Sequence, residues 1–317
     1  MSTVWITGGK GFIGKRLARL ISLEGDRVCG IGHGLWSEEE ARKWGYTNWC
    51  NGEIEAVNLS LLAQASGLPA LVYHLAGGSS VGTSFQYPRE DFCRSVESTS
   101  RLLEWVRLNA PGARMVSASS AAVYGAAFAD PIPEHASLSP FSPYGSHKGM
   151  MEGLCRAYAE NFGIHVAIVR LFSVYGAGLE KQLIWDLCSK LARGGNTPVV
   201  LGGTGEELRD WLHVSDAAAL LWLARAQCDK NCPIINGGTG IATPIREVAR
   251  MVCEAWGGGA SAEFSGNARA GDPPCLVADC TRVIRLGFKP GVMLAEGIHE
   301  TVGWFKARHK SCELPLT

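Results

Sequence analysis

An α/β protein is expected from this chain: a doubly wound parallel sheet joined to a smaller mixed α/β lobe. Three observations point there. The chain opens with an apolar run, Val4-Trp-Ile-Thr7, which breaks at glycines and passes directly into a helical pattern. Strand-like runs at residues 27–31, 54–57, 71–74, 114–119 and 165–170 are interleaved with helical stretches such as 95–108 and 146–162. That alternation argues for a parallel sheet covered on both faces. Several strands end in small or polar residues (His74-Leu-Ala-Gly-Gly, Ser117-Ala-Ser-Ser), which suits a ligand crevice at the carboxyl edge of such a sheet.

The first strand leads into Gly8, Gly11 and Gly14, then into a helix with Leu17, Leu20 and Ile21 on one face. Glycines at this turn allow a tight bend, a close approach by a pyrophosphate, and close packing of helix on sheet. The helix N-terminus adds N–H donors and a favourable dipole. In this strand–turn–helix context the loop reads as a dinucleotide site rather than a plain turn. Gly8, Gly11, Phe12, Ile13 and Gly14 are the expected cofactor contacts.

The second strand ends in Gly32-His33-Gly34. A carboxylate here would bind the adenosine ribose hydroxyls of NAD. Its absence removes repulsion against a 2′-phosphate, and His33 is placed to contact one or to bond the ribose. The cofactor is therefore NAD or NADP. Trp36, Trp44 and Trp49 follow, and are read as packing of a long loop.

Composition bounds the class. The chain has 317 residues, 46% hydrophobic and 19% charged, with 30 basic and 30 acidic residues and zero formal net charge. These values suit a soluble globular enzyme and argue against nucleic acid or a membrane surface as partner. No apolar run approaches membrane-spanning length and no signal peptide is evident, so a cytoplasmic setting is expected. The eleven Cys contain no C-x-x-C pair. They are expected to be reduced and buried, and no metal site is expected.

Tyr144 and Lys148 stand four residues apart in Tyr-Gly-Ser-His-Lys, and so share one helix face. The ammonium can lower the phenol pKa from about 10. A Ser from the nearby strand end, in Ser117-Ala-Ser-Ser, can bond the same substrate oxygen. The trio can move an alcohol proton while a hydride moves to or from the carbon.

Beyond Gly176 the alternation loosens. Helical stretches are expected at 182–193, 215–226 and 245–256, short strands at 199–201 and 232–235, and a glycine break at 257–259. The expected division is residues 1–172 with 209–236 for the dinucleotide domain, and 173–208 with 237–317 for the substrate domain. His74 and His213 are expected to make structural contacts.

Seven segments together carry a family resemblance. They are Thr7-Gly-Gly-Lys-Gly-Phe-Ile-Gly14, His74-Leu-Ala-Gly-Gly-Ser-Ser-Val-Gly-Thr-Ser84, Ser119-Ser-Ala-Ala-Val-Tyr-Gly125, Ser142-Pro-Tyr-Gly-Ser-His-Lys148, Arg170-Leu-Phe-Ser-Val-Tyr-Gly176, Arg209-Asp-Trp-Leu-His-Val214 and Arg269-Ala-Gly-Asp272. In this order they resemble the extended short-chain dehydrogenase/reductases of the nucleotide-sugar epimerase, dehydratase and reductase group. The resemblance covers almost the whole chain and implies a Rossmann-type fold.

It also implies roles. Tyr144 would be the acid/base, Lys148 would hold the nicotinamide ribose, and Ser120 would orient the sugar hydroxyl or ketone. Leu75, Ala76, Gly77 and Phe172 would lie against the cofactor. Ser79, Ser80, Ser173, Arg209, Arg269 and Asp272 would meet the sugar nucleotide, the two Arg gripping its phosphates. Asn58 stands where an Asp near the adenine is frequent, and is expected to contact the cofactor. Arg94-Ser95-Val96 replaces a frequent Asn-Asn-Val, and Ser173 replaces a usual Asn. A homodimer is implied, with the helices near 95–108 and 146–160 pairing.

The group's 4,6-dehydratases carry a Thr-Asp-Glu run on the Ser strand. Here those positions are Ser120-Ala121-Ala122, which cannot do that acid/base work. Epimerisation of a nucleotide sugar at C4 through a 4-keto intermediate is the favoured expectation. An NADPH-dependent 4-ketoreductase is the alternative, and a non-catalytic nucleotide-binding protein a third.

Overall fold

The computed structural model describes residues 2–194, 198–267 and 273–312, with side chains to residue 309. In chain order the elements begin β1 (Thr3–Thr7), α1 (Phe12–Leu23), β2 (Arg27–Gly32), α2 (Glu38–Lys43), β3 (Tyr46–Asn51), α3 (Ala56–Ser66) and β4 (Leu71–His74). Two short helices, α4 (Val81–Gln86) and α5 (Pro88–Phe92), lead through a π-helical turn at Cys93–Glu97 into α6 (Ser98–Asn109). Then come β5 (Arg114–Ser120), α7 (Pro143–Phe162), β6 (His165–Leu171), β7 (Ser173–Tyr175), α8 (Gln182–Ala192), β8 (Val199–Leu201), β9 (Leu208–Arg209) and β10 (Trp211–His213). The chain finishes with α9 (Val214–Ala224), β11 (Ile234–Gly237), β12 (Thr243–Pro244), α10 (Ile245–Trp256), β13 (Ala262–Phe264), β14 (Cys275–Leu276), α11 (Thr281–Arg285) and α12 (Leu294–Cys312).

Seven strands form one parallel sheet in the order β11-β6-β5-β4-β1-β2-β3. Strand order reverses between β1 and β4, so the chain leaves these neighbours toward opposite sides and opens a crevice at their carboxyl ends. Both faces are buried. Leu17, Ala18 and Ile21 of α1 pack with Ala217, Leu220 and Leu221 of α9 against one face. The alanines at 18 and 217 are fully buried, and their small side chains let the two helices approach closely. Leu102, Leu103 and Val106 of α6, with Cys155 and Ala159 of α7, cover the other face.

The third strand departs from expectation. β3 is Tyr46–Asn51, whereas residues 54–57 form a loop and the start of α3. β3 is one of the two outer strands of the sheet, pairing only with β2, so Thr47, Asn48 and Asn51 are tolerated in it and its composition reads as polar. Ile54 is buried as an anchor of the following loop and not as part of a strand.

The second lobe has its own core of Ile184, Leu187, Trp211, Val248, Val252, Ile298, Val302 and Phe305. Small sheets β10-β7, β12-β9-β14 and β13-β8 build its frame. Strands β9 and β10 belong to these small sheets, while α9 and β11 return to the large one. Ala278, Cys280, Val283 and Phe288 also join the core of the large sheet, so the chain crosses between lobes more often than a simple two-part division allows. Among the described residues no helix is long and apolar enough to cross a membrane, and no cluster of His, Cys, Asp and Glu fits a metal ion.

Candidate active site

A cleft of about 1860 Å³ opens at the carboxyl ends of the sheet strands, between the two lobes. Gly8, Gly11, Phe12, Ile13, Gly14, Gly32, His33, Leu75, Ala76, Gly77, Ser79, Ser80, Ser120, Tyr144, Lys148, Phe172 and Ser173 all line it. The described residues singled out in sequence thus converge, with two exceptions given below.

The glycine loop is held on both sides. The Gly8 amide donates to the Ile31 carbonyl at 3.0 Å, and the Gly11 amide to the Gly8 carbonyl at 2.9 Å. Gly8 has φ +66°, and a Cβ there would meet the Ala76 nitrogen at 2.7 Å. A Cβ on Gly14 would meet the Gly8 oxygen at the same distance. Gly11 caps α1 without a side-chain hydrogen bond, so the amides of the first turn face the cleft without a protein side chain as acceptor. This cradle fits a pyrophosphate. The Tyr46 hydroxyl, buried behind the loop, lies 3.0 Å from the Gly9 oxygen and 3.2 Å from that of Gly14. Sequence reading misses Tyr46, since the apolar pattern puts that strand at 54–57. Trp36 and Trp49 close edge-on around it, with ring centroids 4.7 Å apart.

His74 sits in a buried chain of hydroxyls. The Thr99 hydroxyl donates to the Ser95 oxygen at 2.5 Å, which leaves it to accept from His74 Nε2 at 2.8 Å. Nδ1 then accepts from Thr7 Oγ1 at 2.8 Å. Burial, with the Lys148 charge, depresses the His74 pKa to about 3. His74 is a neutral structural link, as expected. Ser95, part of the Arg94-Ser95-Val96 departure, accepts from the Gly78 amide at 2.9 Å and so fixes the wall after β4.

Helix α7 delivers Tyr144 and Lys148. Ser142 caps it by accepting from the Gly145 amide at 3.1 Å, and Pro143 occupies its first turn. The Tyr144 amide donates to Ser84 Oγ at 3.1 Å, which ties the helix start to α4. Lys148 is buried, its ammonium donating to the Ala118 carbonyl at 3.0 Å and lying against Gly77, where a Cβ would come within 2.9 Å. Burial lowers its pKa to about 8, opposed by the charges of Asp91 and Glu152.

Burial raises the Tyr144 pKa; the Ser120 hydroxyl, hydrogen-bonded to it, works the other way, and Asp91 adds to the rise. The Lys148 ammonium is turned to the strand carbonyl of Ala118 in β5. Ser120 Oγ also accepts from the Ala122 amide at 3.2 Å, which pins the hydroxyl at the strand end. Ala121 and Ala122 line the cleft beside it. Lining carboxylates among the described residues are Glu53, Glu90 and Glu97, on other walls. Ser119 also lines the cleft, and its buried hydroxyl has no protein partner.

Two expected contacts, Asn58 and Arg209, fall elsewhere, and two lie outside the described residues. Asn58 lies on α3 and donates to the Glu53 carbonyl at 2.9 Å; it does not line the cleft. Because β3 ends at Asn51, the residues that reach the cleft after it are Gly52, Glu53 and Ile54. Arg209 is buried on β9, donating to the carbonyls of Leu208 and Pro273 at 2.8 and 2.7 Å, and is not among the lining residues. Arg269 and Asp272 lie outside the described residues. Sequence reading also misses Lys181 and Gln182, which line the cleft from the start of α8. His213, as expected, is local, its Nδ1 accepting from the Ser215 amide at 3.4 Å.

Known proteins share this architecture. The chain is 31% identical to the UDP-glucose 4-epimerase of Azospirillum brasilense, over 97% of this chain and 93% of that one. It is 30% identical to the UDP-glucose 4-epimerase of Mycolicibacterium smegmatis, over 95% and 97%. Among solved structures, MoeE5 in complex with UDP-glucuronic acid and NAD superposes with a TM-score of 0.84 at 30% identity, covering 96% of this chain and 99% of that one. The Thermus thermophilus UDP-glucose 4-epimerase complex with NAD gives 0.84 at 26% identity, with 96% and 99% covered. Residues 4–237 match the family model, and the chain belongs to the NAD dependent epimerase/dehydratase family.

Proposed function

We propose that the protein epimerises a UDP-sugar at C4 through a transient 4-keto sugar, with NAD held in the glycine cradle. The observation that carries this reading is the meeting of Ser120, Tyr144 and Lys148 in one cleft with Ala121 and Ala122 beside them. Such a site exchanges one hydroxyl proton, and the strand positions after Ser120 carry no carboxylate to expel a second group. The relatives named above, UDP-glucose 4-epimerases and a UDP-glucuronic acid complex, support a UDP-sugar as substrate.

The cofactor, when bound, takes up and returns the hydride of the sugar carbon. The chain's own residues do the rest. Tyr144 accepts the C4 hydroxyl proton and gives it back. Ser120 orients that oxygen, its own position fixed by the Ala122 amide. Lys148 presents a buried ammonium beside Gly77, where it can hold ribose hydroxyls. Phe172 closes the floor of the cleft. A homodimer through the faces of α6 and α7 belongs to this reading; Met150 and Phe162 of α7 and Leu108 of α6 are exposed apolar side chains there.

The test is turnover without added cofactor. Purified protein incubated with UDP-glucose or UDP-glucuronic acid should yield the C4 epimer and retain NAD after desalting. Tyr144→Phe should lower kcat by ~100-fold or more while NAD stays bound. Stoichiometric consumption of NADPH on a 4-keto sugar nucleotide would overturn the epimerase reading in favour of the reductase.

A further inference from the structure

Lys181 is the N-cap residue of α8, in the second lobe, yet its ammonium reaches across to the first. It donates to the Ser79 carbonyl at 2.6 Å and to the Ser79 hydroxyl at 2.8 Å. Both residues line the cleft. Burial lowers the Lys181 pKa, and no carboxylate among the described residues pairs with it. Lys10, Arg89 and Lys148 also line the cleft, and three nearby cations are already paired with carboxylates. Lys190 of the same helix pairs with Asp186, Arg94 with Glu90, and Arg101 with Glu55 and Glu97.

An ammonium held half-buried without a counter-charge has lost hydration that only an anion restores in full. Two of its three N–H donors are used by Ser79, which leaves one for the cleft. Ser80, Ser173 and Gln182 line the same region. Arg209, expected to grip the phosphates, instead donates to backbone carbonyls behind the wall.

We propose that Lys181 is a cation that grips an anionic oxygen of the nucleotide sugar, on its diphosphate or on the carboxylate of a uronate. This rests on the reading of the substrate as a UDP-sugar. It makes Lys181 a substrate-binding residue, and one that sets specificity where the anion is the uronate carboxylate.

The experiment is equilibrium binding of UDP, UDP-glucose and UDP-glucuronic acid to the purified protein and to Lys181→Met, with turnover measured alongside. The expected result is binding weakened about 10- to 100-fold, the size of one charge-assisted hydrogen bond. KM should rise with kcat little changed, and Lys181→Arg should recover most of the loss. The melting temperature of Lys181→Met should match that of the parent, which separates binding from folding. Equal weakening for all three ligands assigns the diphosphate; weakening confined to UDP-glucuronic acid assigns the carboxylate. Parent-like binding of all three by Lys181→Met overturns the proposal. If the parent binds UDP in a Lys181-dependent way but epimerises no UDP-sugar, the proposed reaction fails and the Lys181 assignment stands.

Discussion

His147 Nδ1 lies 2.6 Å from Asp91 Oδ2, and both side chains are almost fully enclosed between α5 and α7. His147 stands one residue before Lys148 and three after Tyr144. Asp91 is packed so closely on the wall after β4 that a Cβ on Gly78 would come within 1.8 Å of its Oδ1. It thus places a carboxylate behind Tyr144 and Lys148, outside the cleft itself. Its charge raises the pKa of both, against the depression that burial imposes on the lysine and with the rise it imposes on the phenol.

Asp91→Asn removes that charge while keeping the shape. Both Lys148 and Tyr144 should then titrate at lower pH. The pH profile of kcat/KM should move bodily toward acid, and an unshifted profile would show that Asp91 only braces the helices.

Lys148 also has a signature in stability. The unfolded chain keeps this proton up to about the usual lysine pKa of 10.5, whereas the folded protein releases it near 8. Between those values unfolding takes up a proton, so the contribution of Lys148 to stability rises with pH across that window. It is least favourable below pH 8. Urea unfolding of the parent and of Lys148→Met between about pH 7.5 and 10 should show this slope in the parent and its loss in the variant.

The family resemblance groups Arg170 with the sugar-nucleotide segments, but the fold gives it a structural bond. Its Nε and Nη2 donate to Glu152 at 2.9 and 2.7 Å, and both side chains are 2% exposed. The guanidinium also covers the Tyr124 ring at 4.7 Å. Glu152→Ala should destabilise the fold by about 3–5 kcal/mol, because it strands a buried charge. Denaturant unfolding checks this, and a loss well under about 1 kcal/mol would refute it.

Gly8→Ala should fail twice. The position has φ +66°, and the new Cβ would press on the Ala76 backbone at 2.7 Å. A cost of about 1–3 kcal/mol is expected from the backbone strain alone. Thermal melts should show it, together with NAD lost on desalting.

Local chemistry made much of this legible. The Gly8–Gly14 turn, the Ser142 cap and the Tyr144–Lys148 spacing each depend on residues close in sequence. Their geometry follows from backbone sterics and helix period. The outer strand was not legible in the same way. Tyr46–Asn51 is polar on its free side, while the apolar residues at 54 and 57 belong to a loop and a helix. The Asn58 assignment failed with it.

The parallel α/β architecture, the glycine cradle and the grouping of Ser120, Tyr144 and Lys148 are all determined at the level of sequence, because their character is written in short-range patterns. The placement of charge is not. Packing turned Lys148 to the Ala118 carbonyl, committed Arg170 to Glu152, set Asp91 against His147, and brought Lys181 to Ser79 across 102 residues of chain. Long charged side chains take whatever partner the packed sheet and helices bring within reach. Burial then fixes how strongly each charge is felt, and sequence spacing records neither.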